Sequence, residues 1–181
     1  MHGPSDIEAA VRGYRPAGDS ASYDIALVAL SQERPMWSRT EFSPGHFTAS
    51  GFVASPDLQS LLLIHHNKLR RWLQPGGHIE SDDRTVESAA RREIAEETGI
   101  ADLVRVGSSL VRVDAHSIPA HGHEPAHLHL DLAVGFVATS NRIGPLDEVL
   151  EAEWVRFDDL ADFGLDTAAT AGARRLFEMI S

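Results

Sequence analysis

The sequence predicts an α/β fold, with short apolar strands interleaved with helices and further helical segments at both ends. Three observations predict it. Apolar runs of strand length stand at 47–54, 61–65 and 128–138, bounded by polar or turn-forming residues. Between the second and third lies a stretch of helical period, 86–98, that stops at Gly99. Apolar residues make up 43% of the 181-residue chain, enough to build a packed core around those elements.

The elements follow in order. Asp6 to Arg12 and Ser20 to Ser31 have helical patterning, with Ser5 and either Asp19 or Ser20 as caps, and Arg15-Pro16-Ala17-Gly18 breaks between them. Phe47 to Ala54 and Leu61 to His65 are strands, and Asp102 to Val113 and Leu128 to Ala138 are two more. Glu153 to Phe157 reads as a further strand and Asp158-Asp159-Leu160 as a short helix. A last helix, Asp166 to Ile180, offers Leu176, Met179 and Ile180 for packing.

The central helix carries the chemistry. On the spacing of about 100° per residue, Val86, Ala90, Glu93 and Glu97 fall on one stripe, with Ala89 and Glu96 on one flank and Ile94 on the other. Glu93 and Glu97 therefore continue the apolar face that must turn toward the protein body, about 6 Å apart along the axis. Three carboxylates within five residues repel one another, at the helix end where the macrodipole already disfavours anions. Arg92 can pair with Glu96 four residues on, but such a pair contributes only about 0.2–0.5 kcal/mol and leaves two acids uncompensated. A hard, oxygen-seeking cation such as Mg²⁺ or Mn²⁺ is the counter-charge that this cluster suits. A solvated acidic face is the alternative, and the inward stripe argues against it.

Gly77, Arg92, Glu93, Ile94, Glu96, Glu97, Gly99 and Ile100 resemble the signature of the Nudix hydrolases, G-x5-E-x7-R-E-U-x-E-E-x-G-U with U aliphatic. The middle departs from it. Asp83 stands where the pattern has its first glutamate, and eight residues instead of seven separate it from Arg92. Asp83 is read as the N-cap of the helix rather than as a catalytic acid. The resemblance implies an α/β/α sandwich around a mixed sheet, with this domain at 45–162. A helical N-terminal extension then occupies 1–44, packing on the domain or making a homodimer contact, and 163–181 forms a C-terminal helix packing on the domain.

By the same resemblance, the Gly77 carbonyl with Glu93, Glu96 and Glu97 binds Mg²⁺ or Mn²⁺ beside a diphosphate, whose phosphorus is attacked by water. Arg92 orients the glutamates, and Glu97 or Glu96 accepts the water's proton. The base can also come from a loop outside the box, for which Glu124, Glu148 and Glu151 are equal candidates. The implied substrate is a nucleoside diphosphate derivative, ADP-ribose-like or nucleotide-sugar compounds being favoured. Two rivals stand beside this reading. One is a non-catalytic Nudix-fold module that binds a nucleotide or sugar phosphate. The other is an isoprenoid diphosphate isomerase, which uses a cysteine that this chain lacks.

Composition bounds the remaining classes. The net charge of −11 works against general affinity for nucleic acid or anionic membranes. The absence of cysteine excludes disulfides and thiolate metal sites. No apolar run approaches the roughly 20 residues of a membrane span, and no basic-then-apolar leader opens the sequence, so a cytoplasmic protein is expected.

Substrate-contact candidates lie on either side of the glutamates. Lys68, Arg70 and Arg71 precede the glycine loop, where phosphate contact competes with a solvated turn, and His78 lies in the loop itself. Trp72 and His66 are candidates for stacking on a base. His127, His129 and Asp131 alternate with leucines, so on a strand they share one face, and Asp114 and His116 alternate in the same way before them. If 117–126 joins these strands antiparallel, the polar faces converge on a set suited either to Zn²⁺ or to a substrate pocket. A water-facing sheet surface is the alternative.

Overall fold

The computed structural model describes residues 3–18, 20–146 and 148–181. Two helices, α1 (Ile7–Gly13) and α2 (Ala21–Leu30), precede an eight-stranded mixed sheet. Its strands are β1 (Gly45–Ala54), β2 (Ser60–His65), β3 (Trp72–Leu73), β4 (Gly76–His78), β5 (Leu103–Arg105), β6 (Arg112–Ile118), β7 (His127–Ala138) and β8 (Glu151–Arg156). Helix α3 (Val86–Thr98) lies between β4 and β5, and a 3₁₀ turn at Phe157–Phe163 leads into α4 (Thr167–Ile180). Among the described residues no helix is long and apolar enough to cross a membrane.

The long strands β1 and β7 run parallel down the middle, paired from Gly45 with Leu128 to Ala54 with Val137. The other described pairings are antiparallel: β2 and β4 on β1, β3 and β8 on β2, and β5 and β6 on β7. Alternation along β1 and β7 divides the core in two. Phe47, Ala49, Leu130, Leu132 and Phe136 pack under α1, α2 and α3, whereas Phe52, Ala54 and Ala133 pack with Ala173 and Leu176 of α4 on the opposite face. Helices thus cover both faces of a mixed sheet, the expected sandwich. The α4 side gives up its apolar character toward the start of β1 and β7, where His46, Thr48, His127, His129 and Asp131 replace carbon.

Helix α3 forms where the patterning placed it. Thr85 accepts a hydrogen bond from the Ser88 amide while the Ser88 hydroxyl accepts one from the Thr85 amide, closing a capping box worth about 1 kcal/mol. Gly99 ends the helix in the left-handed conformation (φ 70°), which glycine adopts without a Cβ penalty. Val86, Ala89, Ala90 and Ile94 are fully packed against the sheet.

Several expectations are corrected. Asp83 is not the cap of α3, because Thr85 takes that position with a better-placed hydroxyl. Asp6, not Ser5, is the N-cap residue of α1, and its carboxylate instead accepts the Val86 amide at the start of α3. Ser20 stands at the N-cap of α2 without a side-chain cap bond, and Asp19 lies outside the described residues. The single strand expected over Asp102 to Val113 is two. Val106 still donates its amide to the Gly135 carbonyl and Val111 to the Ala133 carbonyl, so it is residues 107–110 that leave the ladder between the Arg105–Phe136 and Arg112–Ala133 pairs. The glycine segment before α3 is itself paired, Gly77 opposite Ala49 and His78 opposite Thr48.

Candidate active site

Glu93 and Glu97 are 9% and 6% exposed, facing inward as the stripe requires, while Glu96 stays at the rim with a side chain 44% exposed. The glycines of β4 make room for them. Gly76 donates its amide hydrogen to Glu97 Oε2 at 2.9 Å. A Cβ on Gly77 would sit 2.6 Å from Glu93 Oε2, so only glycine lets that carboxylate lie against the strand. Burial is the main force on both acids and raises both. Glu97 is pushed up to about 8 by burial, opposed by the Gly76 amide and reinforced by the nearby charges of Glu93, Glu148 and Glu96. For Glu93 burial outweighs the opposing pull of Arg92. Two buried carboxylates and a third at the rim, cradled against backbone with one guanidinium among them, form a donor set that fits a hard divalent cation.

Arg92 is fully committed. Nη2 donates to the His78 carbonyl at 2.8 Å and to Asp83 Oδ2 at 2.9 Å, and Nε donates to Asp83 Oδ1 at 3.3 Å. Nη1 donates to Glu93 Oε1 and Glu96 Oε2, each at 2.9 Å. Asp83, 7% exposed, also accepts the Glu80 amide at 2.8 Å. It therefore braces the turn before α3 and clamps Arg92, which in turn fixes the rotamers of Glu93 and Glu96.

Beyond β4 the sheet opens into a cavity of about 640 Å³. Arg71, His78, His129 and Asp131 line it, together with Gly76, Gly77 and Glu148; His127 does not. The wall is built by register. Across β1, β7 and β6, His46, His129 and His116 lie side by side, and Thr48, Asp131 and Asp114 form the next row. Segment 117–126 does join β6 and β7 antiparallel, so the two alternating polar faces converge. Asp131 accepts hydrogen bonds from Thr48 Oγ1 at 3.0 Å and Ser50 Oγ at 2.5 Å, and burial raises its carboxyl. Burial lowers His129 strongly and takes His78 down to about 4, with neighbouring imidazoles adding to both.

The three loop glutamates separate clearly. Glu148 lines the cavity with Gly76 and Gly77, and its charge reaches Glu93 and Glu97. Glu124 faces Arg39 at 3.8 Å, and Glu151 opens β8 opposite His65 at the exposed surface. Arg71 pairs with Asp166 at 3.3 Å on the cavity wall, where His66 and Lys68 also stand. Trp72 packs against His65 and Phe163. His46 is the residue that the sequence reading missed. It sits one position before the strand expected at Phe47, and its period-two relation to Thr48 and Ser50 was the available signal.

Known proteins share this fold. Residues 45–179 match the family pattern described as the NUDIX domain. MutT4 of Mycobacterium tuberculosis (strain CDC 1551 / Oshkosh), designated a mutator protein, is 30% identical over 176 residues, or 91% of this chain, which spans 66% of that relative's length. A hydrolase of the NUDIX family from Clostridium perfringens superposes with a TM-score of 0.58 at 23% identity, over 75% of this chain and 98% of that one. The NUDIX domain of Shewanella oneidensis NrtR, solved with ADP ribose, superposes with a TM-score of 0.54 at 17% identity, over 86% and 98%. With the matched span holding both the α3 glutamates and the β4 glycines that receive them, the chain belongs to the Nudix hydrolase family.

Proposed function

We propose that this protein is a divalent-metal-dependent hydrolase that cleaves the diphosphate linkage of a nucleoside diphosphate derivative. The observation that carries the reading is the burial of Glu93 and Glu97 against Gly76 and Gly77 beside a cavity of small-molecule size. Glu93, Glu96, Glu97 and the Gly77 carbonyl would hold Mg²⁺ or Mn²⁺, which when bound withdraws charge from the diphosphate oxygens.

The chain's own residues do the rest. Arg92, saturated by Asp83, Glu93, Glu96 and the His78 carbonyl, is a positioning residue and has no donor left over for substrate. Water attacks phosphorus, the bridging P–O bond breaks, and the water's proton passes to a carboxylate. Glu148 is the acceptor that geometry favours over Glu124 and Glu151, because it shares the cavity wall with Gly76 and Gly77. Arg71 and Lys68, which line the cavity, would meet phosphate, and His66, on the same wall, a base. ADP-ribose-like compounds and nucleotide sugars head the substrate classes, a choice supported by the ADP ribose bound to the Shewanella domain.

Chromatographic detection of the two monophosphate products, with Mn²⁺ over a panel of nucleoside diphosphate compounds, tests this. Turnover by the parent and its loss in Glu97→Gln are expected. A Glu97→Gln variant as active as the parent on every substrate would refute the assignment. A folded parent that binds panel members without cleaving any would establish the non-catalytic module instead.

A further inference from the structure

A second cluster of ligand-type atoms lies at the beginning of β1 and β7 and takes no part in the reaction above. His46, His127 and His129 each bring one ring nitrogen into a set whose members all lie within 4.8 Å of one another. The ring centroids are 5.1 Å apart for His46 and His127, 4.9 Å for His46 and His129, and 5.2 Å for His127 and His129. Parallel pairing of β1 with β7 produces this grouping, since it sets His46 beside His129 and leaves His127 one pleat away on the same face.

The hydrogen bonds fix which nitrogens are free. Nδ1 of His46 lies 2.9 Å from the Glu41 carbonyl oxygen, a contact that requires the proton on Nδ1 and leaves a lone pair on Nε2. That Nε2 is buried, and among the described residues no hydrogen bond reaches it. His127 repeats the pattern, with Nδ1 2.8 Å from the Pro125 carbonyl oxygen. That contact likewise puts the proton on Nδ1 and the lone pair on Nε2. A ring N–H donated to a backbone carbonyl, with the other nitrogen turned inward, is the arrangement that orients a metal-ligating imidazole. Phe42 stands edge-on to His127 at 5.0 Å and supplies an apolar flank. A structural stack of imidazoles would gain nothing from leaving a fully buried lone pair unanswered.

We propose that His46, His127 and His129 form a three-nitrogen site for a borderline divalent cation of the Zn²⁺ class, distinct from the oxygen site of the glutamates. Bonds of about 2.0–2.1 Å to each nitrogen require the three nitrogens, now within 4.8 Å of one another, to draw closer around the ion. His78, with its ring 5.2 Å from that of His46 and 5.1 Å from that of His129, stands next to the fourth position. Ligand type separates the two sites, since imidazole selects zinc-like ions and carboxylate selects Mg²⁺ or Mn²⁺. This assignment is independent of the hydrolase reading.

Co²⁺ titration of the full chain, followed by visible absorption and then by Zn²⁺ displacement with metal analysis after dialysis, tests it. The parent should bind one Co²⁺ with the intense spectrum of a four-coordinate site, unmoved by excess Mg²⁺ and unchanged in the Glu93→Gln/Glu97→Gln double variant. His127→Asn and His129→Asn, each checked by circular dichroism and thermal melting, should weaken Zn²⁺ binding by roughly a hundredfold or more. The proposal is overturned if the parent takes up no Zn²⁺. It is equally overturned if its Co²⁺ spectrum is the weak six-coordinate form that vanishes with the glutamates, or if folded histidine variants bind as the parent does.

Discussion

Glu97 concentrates the site's electrostatics in one side chain. It is buried, it accepts a single backbone amide, and three further carboxylates press on it. Glu97→Gln keeps the shape and the Gly76 contact while removing the charge. Steady-state kinetics should therefore show kcat reduced by about 10²–10⁴, with the melting temperature unchanged or raised. Among the loop acids, Glu148→Gln should lower kcat while Glu124→Gln and Glu151→Gln leave it near the parent value. The raised carboxyl also has a thermodynamic consequence. A group whose folded value of about 8 lies above its ordinary 4.5 holds its proton more tightly in the folded chain. The stability so conferred is complete below 4.5 and is lost as pH rises through about 8. In the presence of a chelator, thermal melts should show stability falling across that window, and Glu97→Gln should flatten the fall.

At the scale of the element, α3 holds its acids through Arg92 and its start through Thr85. Arg92→Ala would leave Asp83 and Glu93 facing each other without a cation. Denaturant unfolding should register a loss of about 3 kcal/mol, the low end for a broken buried pair because the Arg92 side chain keeps 21% exposure. Arg92→Lys should not restore it, since an ammonium cannot span Asp83, Glu93 and Glu96 at once. Thr85→Ala should cost about 1 kcal/mol with little effect on the chemistry. This helix was legible in the sequence because burial and period coincide over thirteen residues, ending at a glycine that must be left-handed. Its start was misread, because Asp83 and Thr85 are both good caps and only the fold shows that Asp83 is held by Arg92. The break between β5 and β6 was hidden for a different reason. Val106, Leu110 and Val111 keep the segment apolar although its ladder to β7 is interrupted.

Over the whole molecule, two sheet faces carry two kinds of content. The face under α1, α2 and α3 is packed with carbon, whereas the α4 face turns polar where α4 no longer covers it. The sequence announced half of that polar wall, since His127, His129 and Asp131 alternate plainly on β7. His46 alternates with Thr48 and Ser50 on β1, but the parallel pairing that sets it beside His129 joins residues far apart in the chain and leaves no local mark. The net charge of −11 is compatible with a phosphate substrate only if cations sit in the acidic cleft. Mg²⁺ or Mn²⁺ at a hundred times its dissociation constant should therefore stabilise the fold by about 2.7 kcal/mol, read as a rise in melting temperature that Glu93→Gln/Glu97→Gln abolishes. Anomalous diffraction from crystals soaked in manganese tests the central claim most directly. A peak bounded by Glu93, Glu97 and the Gly77 carbonyl is the predicted result. Clear density for those side chains with no peak between them, at full manganese loading, would contradict it.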